Sequence, residues 1–312
     1  MKILVTGGAG FIGSNVVDAL IDLGHEVAVV DNLSTGFRKN INPKARFYQL
    51  SIRDNELSEV FEREKPELVN HHAAQIDVRK SADDPIDDAE INILGSLNLL
   101  TNCVRSGVKR VVYSSTGGAI YGEAQYIPAD ENHPVNPISQ YGVSKHTVEH
   151  YLYLYSTLYE IDYVILRYAN VYGPRQNPFG EAGVVAIFAT QMLTGQQPTI
   201  FGRGDKTRDY VHVSDVVNAN MLAIDRGKNV IVNIGTEIET SDQEIFDTLA
   251  EVLGYEGSPV YAPVRKGEVY RISLKCSKAR QEIGWSPRLS LKEGIAQTAG
   301  YYRTLALQSQ SR

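Results

Sequence analysis

Tyr141 and Lys145 stand four residues apart in Tyr141-Gly-Val-Ser-Lys145. On a helix that spacing stacks a phenol and an ammonium on one face, one turn apart. A cation so placed favours the phenolate and lowers the tyrosine pKa from its reference of about 10. The result is a base able to remove a hydroxyl proton near neutral pH. With 18 tyrosines in the chain, such a spacing also arises by chance, so its surroundings decide. Ser114-Ser115-Thr116 supplies hydroxyls at the end of Arg110–Tyr113, an apolar run that reads as a buried strand.

A glycine-rich turn comes earlier. Thr6-Gly7-Gly8-Ala9-Gly10-Phe11-Ile12-Gly13 joins the β-branched run Lys2–Thr6 to an amphipathic stretch, Phe11–Leu23. It satisfies both Gly8-x-Gly10-x-x-Gly13 and Gly7-x-x-Gly10-x-x-Gly13. Glycines there permit a tight turn, close approach of the backbone to a pyrophosphate, and close packing of helix on strand. The N–H groups at the helix start then hold the phosphate charge. Asp31, in Val29-Val30-Asp31-Asn32, sits where a carboxylate accepts from ribose hydroxyls and repels a 2′-phosphate. The pattern predicts a dinucleotide site that takes NAD over NADP, with its reactive end where Ser114–Thr116 and Tyr141 meet.

These residues need a frame. Lys2–Thr6, Glu26–Val30, Arg46–Leu50, Leu68–Asn70, Arg110–Tyr113 and Tyr163–Arg167 read as parallel strands. Phe11–Leu23, Asn55–Glu64, Pro85–Ser106 and Ser139–Glu160 read as the helices between them. The alternation predicts an α/β fold, a doubly wound parallel sheet of the Rossmann type. After Arg167 come loop chemistry and shorter helices at Ser214–Arg226, Asp242–Leu253, Lys278–Ile283 and Leu291–Leu305, which predict a smaller C-terminal α/β domain. Val230–Asn233 reads as one more strand of the main sheet, so the boundary is discontinuous. Residues 1–175 with about 207–238 are expected to bind NAD, and about 176–206 with 239–312 to bind substrate.

The 312 residues carry a net charge of −6 and no Lys/Arg-rich run, which argues against nucleic acid or an anionic membrane as partner. No apolar run approaches the ~18 residues of a membrane span. Cys103 and Cys276 lie far apart in no CxxC spacing, which fits a reducing compartment and argues against a zinc ribbon. His71-His72 has no carboxylate or thiol at ligand spacing, so no metal is expected there. Met1-Lys-Ile-Leu-Val5 reads directly as a strand, and a cytoplasmic location is expected.

Gly7–Gly13, Asp31, Ser114–Thr116 and the Tyr141/Lys145 pair resemble the extended short-chain dehydrogenase/reductase superfamily. Leu166-Arg-Tyr-Ala-Asn-Val-Tyr-Gly-Pro-Arg175 and Arg208-Asp-Tyr-Val-His-Val-Ser-Asp215 extend the resemblance over about residues 1–305. Within it the chain is most similar to the nucleotide-sugar epimerases that interconvert UDP-galactose and UDP-glucose. The 4,6-dehydratases and UDP-glucuronate decarboxylases carry an acid just after the Ser/Thr of the fifth strand. Ser115-Thr116-Gly117-Gly118-Ala119-Ile120-Tyr121-Gly122 has none before Glu123. The resemblance implies reversible C4 epimerisation of a UDP-hexose with tightly bound NAD. Tyr141 takes the 4′-hydroxyl proton, Thr116 or Ser115 bridges it, Lys145 fixes the nicotinamide ribose, and a 4-keto sugar turns over before reduction. Epimerases of UDP-glucuronate or UDP-N-acetylhexosamine are the alternatives, since neither Ile272 nor Ser273 is bulky where an N-acetyl group would lie. A non-catalytic NAD-binding regulator is a more distant one, because such proteins tend to lose the Tyr or the Lys.

The resemblance also implies individual contacts. For the cofactor these are Gly7, Gly10, Phe11, Ile12 and Gly13 in the turn, and Asp31, Asn32, Ser34, Thr35 and Gly36 after the second strand. Ser51 and Ile52 stand where the family often has Asp-Leu or Asp-Ile. His72, Ala73, Ala74 and Gln75, with Asn92, Ser114, Tyr141, Lys145 and Tyr168, complete the set. For the nucleotide sugar it implies Thr116, Tyr141, Asn170, Gly183, Val184 and Val185, with Phe201 stacked on uracil. Arg208 and Arg265 fall at the diphosphate, and Glu268 at the uridine ribose. A homodimer is implied through helices 85–106 and 139–160, where Tyr151, Tyr155 and Tyr159 share a face.

Overall fold

Seven parallel strands form one sheet in the computed structural model, which describes residues 1–179, 183–264 and 269–310, with side chains through residue 307. In chain order they are β1 (Lys2–Thr6), β2 (Glu26–Val30), β3 (Arg46–Tyr48), β4 (Leu68–His71), β5 (Arg110–Thr116), β6 (Asp162–Tyr168) and β7 (Val230–Ile234). Their spatial order is β7-β6-β5-β4-β1-β2-β3. The chain starts in the middle, winds outward to β3, then returns past β1 to build the other half. The reversal between β1 and β4 opens a crevice at the strand C-termini, where a dinucleotide binds in such sheets.

Alternation along each strand feeds two cores. Ile3 and Val5 face the helices Phe11–Asp22 and Val213–Leu222, while Leu4 faces Leu57–Glu64, Gly95–Ser106 and Gln140–Tyr159. A third core gathers Tyr172, Phe188, Ile200, Phe246, Ile295 and Tyr302 away from the sheet.

Three of the differences from the sequence reading bear on the site and its frame. Val184–Leu193 is a helix that no polar periodicity announces, because its residues are apolar almost all round and Val185, Ala186, Phe188, Ala189 and Met192 are buried. The stretch Pro85–Ser106 is helical throughout but carries a π-turn at Glu90–Leu94. Ser277–Ile283, expected in the substrate-binding part, instead packs on the sheet, with Ala279, Ile283 and Trp285 in the first core.

Candidate active site

The glycine turn is pressed against the segment that follows β4. Gly7 has a φ of +69°, and a Cβ there would fall 2.7 Å from the Ala73 nitrogen. At Gly13 a Cβ would fall 2.2 Å from the Gly7 carbonyl oxygen, so the helix start admits no side chain. Gly8 is equally confined, 2.7 Å from Val29 Cγ1. Asp31 is buried at the end of β2, accepting from the Ala9 N–H at 2.9 Å and the Leu33 N–H at 2.8 Å. Asn32 Oδ1 accepts from the Ser34 N–H at 3.0 Å, turning the chain through Thr35 to Gly36, which packs on the Ala9 backbone.

The segment after β4 is wired from below. Ser96 Oγ donates to the Asn92 carbonyl at 2.6 Å, so it must accept from His71 Nε2–H at 3.0 Å. His71 Nδ1 then accepts from Thr6 Oγ1 at 2.7 Å, and Thr6 Oγ1 accepts from the Ala73 N–H at 3.2 Å. Burial holds His71 neutral, well below the usual histidine range. Gln75 exchanges two hydrogen bonds with Asn92, its N–H donating to Oδ1 at 2.8 Å and its carbonyl accepting from Nδ2 at 3.0 Å. The buried Asp88 accepts from Asn92, from Gln75 and from Ser144, which lies in the same turn as Lys145. His72 is different. Burial, with Lys145 nearby, lowers its pKa to about 3, and its Nδ1 lies 2.6 Å from Ser114 Oγ. Its Nε2 is buried without a partner among the described residues.

The helix Gln140–Tyr159 starts beside the end of β5. Ser139 caps it, accepting from the Gly142 N–H at 3.1 Å. A Cβ at Gly142 would fall 2.7 Å from the Ala119 carbonyl oxygen, so glycine lets Tyr141 approach the one-turn helix Gly117–Ile120. Lys145 is 3% exposed, with Nζ 4.3 Å from the centre of the Tyr113 ring. Burial lowers its pKa to about 7, against the opposing fields of Glu149 and Asp88.

Alternation on β5 separates the two candidate hydroxyls. Ser115 faces the helix and donates to Glu149 Oε1 at 2.5 Å, inside a buried ion pair in which Arg167 donates to Glu149 at 3.0 and 2.6 Å. Burial alone would raise the Glu149 carboxyl, but bonds from His146, Arg167 and Ser115 outweigh it and hold the pKa at about 2. Ser115 is thus committed to the interior. Thr116 points the other way. A Cβ on the neighbouring Gly118 would lie 4.0 Å from Thr116 Oγ1 and 3.3 Å from Asn170 Oδ1, which puts both polar groups around one small space.

Other expected contacts fall in varied settings. Tyr168 is buried, its hydroxyl accepting from Asn220 Nδ2 at 2.8 Å and from Ser114 Oγ at 3.3 Å, so its polar atom is turned inward. The Ile52 side chain is core, packed where Gly95 leaves room, and Ser51 Oγ accepts from the Arg53 N–H at 3.2 Å. Gly183 caps the helix Val184–Leu193, while Val185 is wholly buried. Phe201 ends the short strand Thr199–Phe201, and Arg208 Nη1 donates to the Thr207 and Tyr270 carbonyls at 2.8 and 3.3 Å. Arg265 and Glu268 lie outside the described residues. Tyr151 and Tyr155 pack against the second core, so only Tyr159 of the tyrosine face is exposed, together with Tyr153.

Sequence reasoning missed the supports. Asp209, 1% exposed, accepts from the N–H groups of Thr236, Glu237 and Leu274 at 2.7, 3.1 and 3.1 Å and clamps three segments together. Its signal was its place between Arg208 and Tyr210. Asp88 and Glu149 gave none, since each reads as an ordinary charge on a helix.

A Rossmann sheet with this glycine turn, an acid closing β2 and a Tyr-x-x-x-Lys helix start beside β5 is the arrangement of the extended short-chain dehydrogenases/reductases. The model of the NAD dependent epimerase/dehydratase family matches residues 3–235, and the chain belongs to that family. It is 43% identical over 309 residues to a UDP-glucose 4-epimerase of Mycolicibacterium smegmatis, covering 97% of this chain and 99% of the relative. A UDP-glucose 4-epimerase from Thermotoga maritima, solved with UDP-glucose, superposes with a TM-score of 0.97 at 50% identity, covering 98% of this chain and 99% of the other. One from Thermus thermophilus, in complex with NAD, gives a TM-score of 0.93 at 44% identity, covering 97% and 99%.

Proposed function

We propose that this chain interconverts UDP-galactose and UDP-glucose by inverting the sugar at C4, with NAD held through the cycle. The observation that carries the reading is the end of β5. Thr116 ends the strand, the helix that opens with Tyr141 packs Gly142 against Ala119, Lys145 Nζ lies 4.3 Å from the ring of Tyr113 on the same strand, and residues 117–122 bring no carboxylate for eliminating water.

The residues present suit NAD. A backbone cradle runs along Gly7, Gly10 and Gly13, closed to a Cβ at Gly7 and Gly13, and the N–H groups of Phe11 and Ile12 open the helix toward a pyrophosphate. The His72 backbone lies against Gly7, and His72 Nε2 is a buried polar atom with no partner among the described residues. Asp31 places a negative charge where a 2′-phosphate would lie. NAD, when bound, accepts the C4 hydride and returns it. Asp31, Asn32, Ser34, Thr35 and Gly36 would hold its adenosine half, and Lys145 with Ser114 its reactive half.

Tyr141 takes the proton from the 4′-hydroxyl and later gives it back, and Thr116 Oγ1 bridges that transfer. The Lys145 ammonium, one turn from Tyr141, favours the Tyr141 phenolate. Buried among Tyr113, Asp88 and Glu149, it has little freedom to leave that position. Arg208 and Arg265 hold the diphosphate, Phe201 the uracil and Glu268 the uridine ribose, with the backbone of Gly183–Val185 alongside. The 4-keto sugar is then gripped by its nucleotide and left free to turn.

Proton NMR of purified protein with no added NAD tests the proposal, using UDP-galactose, UDP-glucuronate and UDP-N-acetylgalactosamine in turn. Interconversion of UDP-galactose and UDP-glucose without net NADH supports it. Conversion of another sugar alone keeps the mechanism and changes the substrate. No epimer from any of them, with NAD supplied, refutes it.

A homodimer belongs to the same proposal. Ile86, Leu94, Val143, Leu154 and Leu158 expose an apolar face across Pro85–Ser106 and Gln140–Tyr159, and a second copy is its proposed occupant. Leu154→Glu is expected to yield monomers by light scattering. The substrate domain is assigned to about residues 176–206 and 239–312, less the Ser277–Trp285 stretch that packs on the sheet. No helix among the described residues is long and apolar enough to cross a membrane, and a cytoplasmic location is proposed from the two free, buried cysteines.

A further inference from the structure

One pair of side chains on Gln140–Tyr159 takes no part in the reaction above. His146 and His150 stand four residues apart, and their Nε2 atoms lie 3.1 Å apart with ring centres at 4.6 Å. The direction of the contact follows from what stands behind it. Glu149, ion-paired with Arg167 at 2.6 Å, presents Oε2 as an acceptor 3.2 Å from His146 Nδ1, so Nδ1 carries the proton and His146 Nε2 carries a lone pair. His150, exposed, donates from its own Nε2 to that lone pair.

Replacing that shared proton by a metal ion requires little movement. Two nitrogens about 2.1 Å from one ion lie about 3.4 Å apart at a tetrahedral angle and about 3.0 Å apart at a right angle. The observed 3.1 Å falls between the two. His150 needs only to carry its proton on Nδ1 instead of Nε2. The carboxylate behind His146 is the support that metal-bound imidazoles ordinarily have, fixing the tautomer and raising the basicity of the ligand nitrogen. No group of three or more His, Cys, Asp or Glu among the described residues is arranged to hold a metal, so this pair acts as a two-point chelate with open positions for water or further ligands.

We propose that His146 and His150 form a binding site for a divalent transition metal ion of the zinc, nickel or copper class. The other five histidines do not compete as chelates. His71, His133 and His212 are buried, His72 is held against Ser114, and His25 stands alone. The pair lies on the helix face proposed for the second copy, so two such pairs near a two-fold axis also have the ligand count for one shared tetrahedral ion.

The test uses the full-length chain without a histidine tag, with zinc chloride as the probe in calorimetry, and retention of the Leu154→Glu monomer on immobilised nickel as a second readout. Wild type is expected to bind zinc, and the Leu154→Glu monomer to be retained on nickel. His150→Ala, a substitution outside the catalytic machinery, should weaken zinc binding at least tenfold and, combined with Leu154→Glu, abolish retention, with epimerisation by the single variant unchanged. One ion per chain, or one per two chains, supports the assignment. Equal binding by wild type and His150→Ala, or no binding by wild type, overturns it.

Discussion

The dinucleotide edge and the sugar side of this molecule are built in opposite ways. Along the edge, nearly every polar group is already committed. Asp31 takes two backbone donors, Thr6, His71 and Ser96 form one hydrogen-bonded chain, and Asn92 and Asp88 fix Gln75. The proposed sugar side is assembled from short pieces, with Asn170, Phe201 and Arg208 each on a strand of two or three residues. A reaction that flips its intermediate inside the protein needs this contrast. One partner must be immobile and the other must find room to rotate.

The sharpest way to break that comparison is at the reacting group. Tyr141→Phe is expected to lower turnover by about 10²–10⁴-fold while NAD stays bound, measured by NMR conversion of UDP-galactose and by cofactor released on denaturation. Loss of cofactor together with activity would mean that Tyr141 belongs to the edge. Gly13→Ala should act the other way, because its Cβ would fall 2.2 Å from the Gly7 carbonyl oxygen. The protein is expected to purify without NAD, and activity should recover only in part when NAD is supplied.

A finer cut separates the two sides of β5. Thr116→Val should cost about tenfold or more in kcat with an unchanged Tm. Ser115→Ala should instead lower Tm, since it leaves the buried Glu149 short of a donor at a cost of about 1–3 kcal/mol. The reverse pattern would exchange their roles. On the sugar side, Arg208→Ala is expected to raise KM for the UDP-sugar several-fold with kcat nearly intact, as for binding shared by ground and transition states.

The smallest effect concerns Lys145 in cofactor-free protein. Its folded pKa of about 7 lies below the 10.5 of an unperturbed lysine, so keeping it charged costs stability. That cost is full below pH 7 and is relieved as pH rises toward the unfolded value. Lys145→Met should therefore melt above wild type at about pH 6, with the gap narrowing by about pH 9. A gap that widens with pH would reverse the sign.

The edge was also the more legible half. Glycine spacing, Asp31 and the Tyr141/Lys145 pair are local patterns, and β1 and β2 lie where the β-branched runs placed them. Ser115 and Thr116 were indistinguishable in sequence because β5 outruns its apolar stretch into three small polar residues, and only the strand's alternation parts them. Val184–Leu193 escaped because a helix buried nearly all round shows no polar face to count from. Asp88 and Glu149 escaped because the partners that bury them, Ser144 for one and Ser115 with Arg167 for the other, lie 56, 34 and 18 residues away in the chain.

The late arrival of β7 has a consequence for synthesis. β6 ends at Tyr168, but the strand that pairs with its outer edge finishes only at Ile234. At about 5–20 residues per second, a ribosome needs roughly 3–13 seconds to supply the intervening chain. Throughout that interval β6 offers an open edge of unpaired N–H and C=O groups, which is a template for pairing with a neighbouring nascent chain. The tempo of translation between Tyr168 and Ile234 therefore sets how long each new molecule is exposed to misassembly, and synonymous codons in that stretch are where yield would respond.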